Sequence, residues 1–147
     1  MQLIKSNPSN IETKYENDLT LTWDYIGPQR TKGDTYYNAN RFVWFECLID
    51  IDDQYKNNSP VAVLCLSENM HLPFSLHISV FEVFKNLRGQ GIGSIIMNDL
   101  TYYAQELEYR VITLQTRNNN LINFYSKFGY VYREINKIPI LRKYIAF

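Results

Sequence analysis

The chain has 147 residues, with 15 Lys and Arg against 15 Asp and Glu. That length suits one domain over residues 1–147 with its own core and is too short for two. Zero net charge gives no long-range field to gather nucleic acid or an anionic membrane, so neither is expected as a partner. No apolar run reaches the roughly 20 residues that span a bilayer. The opening Met1-Gln2-Leu3-Ile4-Lys5 lacks the apolar core and small-residue cleavage site of a signal peptide. Cys47 and Cys65 both sit in apolar stretches and read as buried, reduced thiols. The expectation is a cytoplasmic protein.

In chain order, Leu19-Thr20-Leu21-Thr22-Trp23 alternates and suggests a strand, followed by a loop around Gly27-Pro28 and Gly33-Asp34. Arg41 to Ile49 is rich in aromatic and β-branched residues, a second strand. Lys56 to Pro60 marks a turn, and Val61 to Leu66 returns as its hairpin partner. After a break at Met70 to Pro73, Leu76 to Val83 is strand-like again. The period then changes: apolar residues at Ile95, Ile96, Leu100, Tyr103, Ala104 and Leu107 fall on one helical face. Val111 to Thr116 alternates as a strand. Asn118 to Phe128 reads as a short helix ended by Gly129, and Tyr130 to Tyr132 and Ile140 to Ala146 as final strands. The order of elements predicts an α+β (mixed α/β) layer.

The informative segment joins the strand ending at Val83 to the helix beginning near Gly93. In Arg88-Gly89-Gln90-Gly91-Ile92-Gly93-Ser94, three glycines at alternate positions leave main-chain N–H groups unobstructed at a helix start. Those groups lack intrahelical partners and carry partial positive charge, which suits a phosphate or diphosphate. A dinucleotide fingerprint needs glycine at the first, third and sixth places, and the sixth from Gly89 is Ser94. No Gly-Lys-Ser/Thr triplet follows, so a P-loop is excluded too. Taken alone, the cluster also fits a tight turn with no ligand.

The flanking residues resolve this through a resemblance. Arg88 to Gly93 resembles the Arg/Gln-x-x-Gly-x-Gly/Ala motif of the GCN5-related N-acetyltransferase (GNAT) family. Asn118-Asn119-Asn120-Leu121-Ile122-Asn123-Phe124-Tyr125-Ser126-Lys127-Phe128-Gly129-Tyr130 resembles its Asn-x-x-Ala-x-x-Phe-Tyr-x-Lys-x-Gly-Phe/Tyr signature. Leu121 replaces the usual alanine, and Lys85 a common proline. The resemblance covers about residues 76 to 132.

It implies a central, mostly antiparallel sheet flanked by helices. It also implies acetyl-CoA as co-substrate and an amine-bearing acceptor: a small molecule, a peptide N-terminus or a protein lysine. In the family pattern the amides of Arg88, Gly89, Gln90, Gly91, Ile92, Gly93 and Ser94 bind the CoA diphosphate. The backbone of Phe81, Glu82 and Val83 pairs with the pantetheine arm, and Asn118 contacts the cofactor, although Asn before a helix equally serves as an N-cap. Tyr125 takes the position of the acid for the departing thiolate. A non-catalytic acyl-CoA sensor of the same fold is the alternative.

An ammonium acceptor must lose a proton, its reference pKa being near 10.4. Strict alternation puts His77, Ser79, Phe81 and Val83 on one face of their strand and Glu82 on the other. His77 fits a base by its titration range and Glu82 by chemical type. No metal site is expected, because His71 and His77 lack clustered further ligands. Between Leu19–Trp23 and Arg41–Ile49 no amphipathic helix is evident, so the N-terminal helices usual in the family read as reduced. The acceptor site is then either open or closed by a second copy in a homodimer, with Trp23, Tyr36, Tyr37 and Trp44 available to line it.

Overall fold

The computed structural model describes residues 1–20, 42–49, 59–68 and 72–145. In chain order the elements are β1 (Gln2–Ser6), α1 (Pro8–Tyr15), β2 (Val43–Leu48), β3 (Ala62–Glu68) and β4 (Ser75–Val83). A 3-10 turn (Lys85–Leu87) leads to α2 (Ile92–Glu106), then β5 (Val111–Leu114), α3 (Asn119–Ser126), β6 (Val131–Ile135) and β7 (Ile138–Tyr144). The strands are ordered β1-β2-β3-β4-β5-β7-β6. β4 and β5 pair in parallel, whereas β1–β2, β2–β3, β5–β7 and β6–β7 pair antiparallel. This is the expected α+β architecture, a mostly antiparallel sheet with helices. Two compact units make it up, Met1–Ser67 with Ser79–Ile96, and Glu68–Ile78 with Met97–Phe147.

The first unit contains a helix that no sequence pattern marked. Asn7 caps α1 by accepting from Ser9 N at 2.8 Å, and Pro8 supplies the first-turn φ. Ile11 is the helix's one buried residue, so no 3.6-residue period marks it. Ile11 packs in a core with Leu19, Trp44, Val63, Cys65, Val80 and Phe84. Trp44 lies opposite Cys65 in the β2–β3 register, and opposed residues share a sheet face. Cys47 and Cys65 are both buried and free. Leu19 and Thr20 are not strand residues: Leu19 N donates to Tyr15 O at 3.1 Å as the chain leaves α1. The rest of that expected strand, the 56–58 part of the hairpin turn, His71, Trp23, Tyr36 and Tyr37 lie outside the described residues.

β4 departs from strict alternation. Ser67 lies on the same side of β3 as Cys65, and its hydroxyl hydrogen-bonds that of Ser79 at 3.1 Å. The next residue, Val80, packs in the core with Cys65 and Trp44. Two successive residues turned to one face require a local irregularity of the bulge type. Glu82 therefore falls on the side of Ser79 and Val80, which corrects the expected grouping of Ser79 with Phe81 and Val83 against Glu82.

In the second unit all four β5 residues are buried, and β5 aligns with β4 over Ser75–His77 only. β6 and β7 form a hairpin whose two connecting residues, Asn136 and Lys137, have φ of 53° and 65°. Both central residues being left-handed is the signature of the type I′ turn that matches strand twist. Met97, Leu100 and Ala104 of α2 are fully buried, but Leu107 is 52% exposed. The helix stops at Glu106, and Glu108 turns left-handed at φ 64°, so the helical spacing that predicted burial of Leu107 no longer applies there. Leu100→Ala should cost about 3 kcal/mol in urea unfolding and Leu107→Ala under about 1 kcal/mol; equal losses would refute this boundary.

Candidate active site

The turn after β4 is built from backbone conformation. Gly89 and Gly91 have φ of 79° and 80°, and a Cβ placed on either would meet nothing within 4 Å. The left-handed backbone, rather than crowding, is what calls for glycine at these two positions. Ile95 N donates to Gly91 O at 3.2 Å, closing the first turn of α2. The N–H groups of Ile92, Gly93 and Ser94 precede that bond and have no partner within the helix. Three donors thus converge at the positive end of a 15-residue helix dipole, beside a loop with open space over its glycines. This arrangement fits an anionic diphosphate.

The edge of β4 next to this turn extends beyond its pairing with β5. β5 aligns only with Ser75–His77, so the backbone from Ile78 to Val83 extends past that pairing. Phe84 N donates to Val61 O at 3.0 Å, on the β3 side. Across a trans peptide, C=O and the following N–H point oppositely, and no peptide bond is cis. The Val83 carbonyl therefore points away from β3, to the open edge.

Glu82 is buried and fully engaged by its surroundings. Its Oε1 accepts from Thr20 N at 2.6 Å, from the Thr20 hydroxyl, and from Arg88 Nη2 at 2.6 Å. Arg88 Nε donates to Val83 O at 3.2 Å. Of the expected site residues, the structure thus brings Glu82, Val83 and Arg88 together. Thr20 joins them without any signal in the sequence, because it contributes through the way the chain leaves α1.

His77 Nδ1 lies 2.7 Å from Thr113 Oγ1, and burial pulls the imidazole down to about 4. Thr113, itself buried, was likewise not singled out from the sequence; its one cue was a polar residue inside an apolar strand. Asn118 Oδ1 accepts from Asn120 N at 2.9 Å and Leu121 N at 3.2 Å, which makes it the N-cap of α3. Tyr125 is 5% exposed and stands edge-on to Phe124 and Tyr130, with centroids 5.1 and 5.4 Å away. Burial raises its phenol above the usual range, so it holds its proton throughout neutral pH.

Comparison with known proteins bears on the family and the fold. The sequence profile of the acetyltransferase (GNAT) family matches residues 13–130. No curated protein sequence matches the chain. Among solved structures, a GNAT-family protein from Desulfovibrio desulfuricans superposes with a TM-score of 0.69 at 10% identity, covering 99% of each chain. The ribosomal-protein-S18-alanine N-acetyltransferase of Escherichia coli gives 0.65 at 10% identity, over 99% of this chain and 94% of that one. A Bacillus subtilis acetyltransferase in complex with CoA gives 0.64 at 16%, over 99% and 97%. The chain belongs to the GNAT acetyltransferase family and has its fold.

The His77 geometry sets a pH dependence. Its folded pKa, about 4, lies below the unfolded value near 6.5, so its contribution is present above pH 6.5 and lost as pH falls towards 4. About 3 kcal/mol of unfolding free energy should disappear over that window. His77→Asn should flatten this part of the stability–pH curve measured by denaturant titration; an unchanged slope would show that another group produces it.

Proposed function

We propose that the chain is an acetyl-CoA-dependent N-acetyltransferase acting on a primary amine. The observation that carries this reading is the set of three N–H groups without intrahelical partners, behind two left-handed glycines at the start of α2. They suit the anionic, acceptor-rich diphosphate of coenzyme A. The backbone amides from Arg88 to Ser94 hold the diphosphate, and the backbone of Phe81, Glu82 and Val83 takes the amide-bearing pantetheine arm. Bound there, acetyl-CoA supplies a thioester carbonyl for the amine to attack and a thiolate as leaving group.

The chain's own residues move the protons. Tyr125, which keeps its phenolic proton at neutral pH, donates to the leaving thiolate. The acceptor ammonium must lose a proton before its nitrogen can attack. His77, a neutral ring 2.7 Å from Thr113 Oγ1, and Glu82, a carboxylate fixed by Thr20, are the two candidates on this strand to take it. Asn118 sets the start of α3, and through it the placement of Tyr125, with Leu121 in the usual alanine position.

Support comes from the family membership, from the agreement of both motifs with the elements that carry them, and from the presence of CoA in the Bacillus subtilis relative's structure. Tyr125→Phe should retain acetyl-CoA affinity within about threefold by calorimetry while CoA release with an accepted amine slows by about a hundredfold. Unchanged turnover would take Tyr125 out of the chemistry. No heat with CoA from folded wild-type protein would remove the acetyltransferase reading altogether.

A further inference from the structure

The β4 edge that the proposed reading gives to the pantetheine arm already carries a side chain. Arg88 reaches back from the phosphate loop, its Nε on the Val83 carbonyl at 3.2 Å and its Nη2 on Glu82 at 2.6 Å. Nη2 also lies 3.5 Å from Thr20 Oγ1. The Val83 carbonyl points away from β3, so a pantetheine amide N–H arriving at this edge meets an oxygen that the Arg88 guanidinium already crowds on one side. The guanidinium is charged at all accessible pH, and what it holds here is a carboxylate and a carbonyl of its own chain.

We propose that Arg88 is a latch on the β4 edge, released from Glu82 and Val83 by the diphosphate of CoA, so that the groove opens to thioesters that carry a diphosphate and stays closed to those that do not. The inference rests on the CoA reading of the same site and adds donor selectivity to it. The physical sequence is short. A diphosphate at the start of α2 offers more negative charge than one carboxylate, and oxygens that the guanidinium fork can engage in pairs. Arg88 is the first residue of the loop, and its side chain is 45% exposed, so it turns towards the loop without unpacking a core. Its departure clears the Val83 carbonyl for pantetheine. A bare acetyl-pantetheine, or a pantetheine arm attached to a carrier through a single phosphodiester, lacks the charge to draw Arg88 away.

The inference differs in sign from a simple phosphate-binding role. An arginine that only grips phosphate leaves pantetheine binding untouched when removed, whereas a latch on the pantetheine acceptor obstructs it. Calorimetry with CoA and with pantetheine on the wild type and on Arg88→Ala separates the two. The expected result is a CoA affinity that falls roughly tenfold and a pantetheine affinity that rises roughly tenfold. The fall reflects one charge-assisted hydrogen bond fewer to the diphosphate, and the rise one obstruction cleared from the groove. Arg88→Gln, which keeps a donor without charge, should fall between. Glu82→Gln should bind CoA more tightly than wild type, and this gain should vanish when Arg88 is also alanine. Pantetheine binding unchanged or weakened in Arg88→Ala overturns the latch while leaving the CoA reading intact. Wild type that binds neither ligand overturns the CoA reading itself. If Glu82→Gln fails to fold, the Arg88 Nε–H resonance of the wild type gives the answer: it should be protected from exchange in the free protein, shift with CoA and stay put with pantetheine. A shift with both ligands also overturns the proposal.

Discussion

The structure depends on the free N-terminal end of α2. A helix start leaves several N–H groups unsatisfied wherever it occurs; what differs here is that the loop before it has two left-handed glycines and open space above them. The end is held firmly because the same helix buries Ile92, Ile96, Met97, Leu100 and Ala104 on one face. An apolar stripe of that length prevents fraying of the first turn, where a short isolated helix would be marginal. The donors are therefore pre-aimed, and binding an anion costs little ordering. Packing on one side of α2 and chemistry at its end follow from the same fifteen residues.

Buried polar groups tell where the fold accepts a cost. Glu46, Ser75, Glu82 and Thr113 are the buried polar residues of the described chain, and each has partners. Glu46 takes the Tyr15 hydroxyl at 2.7 Å and Lys14 at 3.4 Å, tying α1 to β2. Ser75 donates to Leu72 O at 2.6 Å, fixing the start of β4, and Thr113 meets His77. Glu46 and Thr113 secure elements against one another, and Ser75 acts locally. Glu82 is held by Arg88 of the glycine loop and by Thr20 at the end of the α1 segment, and so links local structure to the candidate site. Unpaired, a buried carboxylate would be strongly destabilising, so both Thr20 and Arg88 are constrained by it.

Much of this was legible in the sequence wherever a residue's role is local. The helical period of Ile96, Leu100 and Ala104 and the glycine turn both follow from spacing, as does the cap at Asn118. What was not legible depends on long-range contacts or on breaks in a period. α1 escaped because one buried residue, Ile11, leaves no stripe. Leu107 was placed on the buried face because the helical spacing was carried past Glu106, where the chain turns left-handed. Ser79 was grouped with Phe81 and Val83 because a strand read at strict period two has no room for the irregularity between Ser79 and Val80. Thr20 contributes to the site only through a contact 62 residues along the chain, which no local pattern announces. The two-residue turn at Asn136-Lys137 was missed because it lacks the glycine that usually marks a type I′ hairpin.

The choice of arginine at position 88 follows from the number of groups it must satisfy in turn. One planar fork reaches a carboxylate through Nη2 and a carbonyl through Nε at the same time; a lysine ammonium offers a point charge without that geometry. The guanidinium is nearly half exposed while Glu82 is buried, so solvent screens only one side of the pair. Partial exposure at the mouth of the loop leaves part of the guanidinium to solvent while Nε and Nη2 stay on groups of the chain itself.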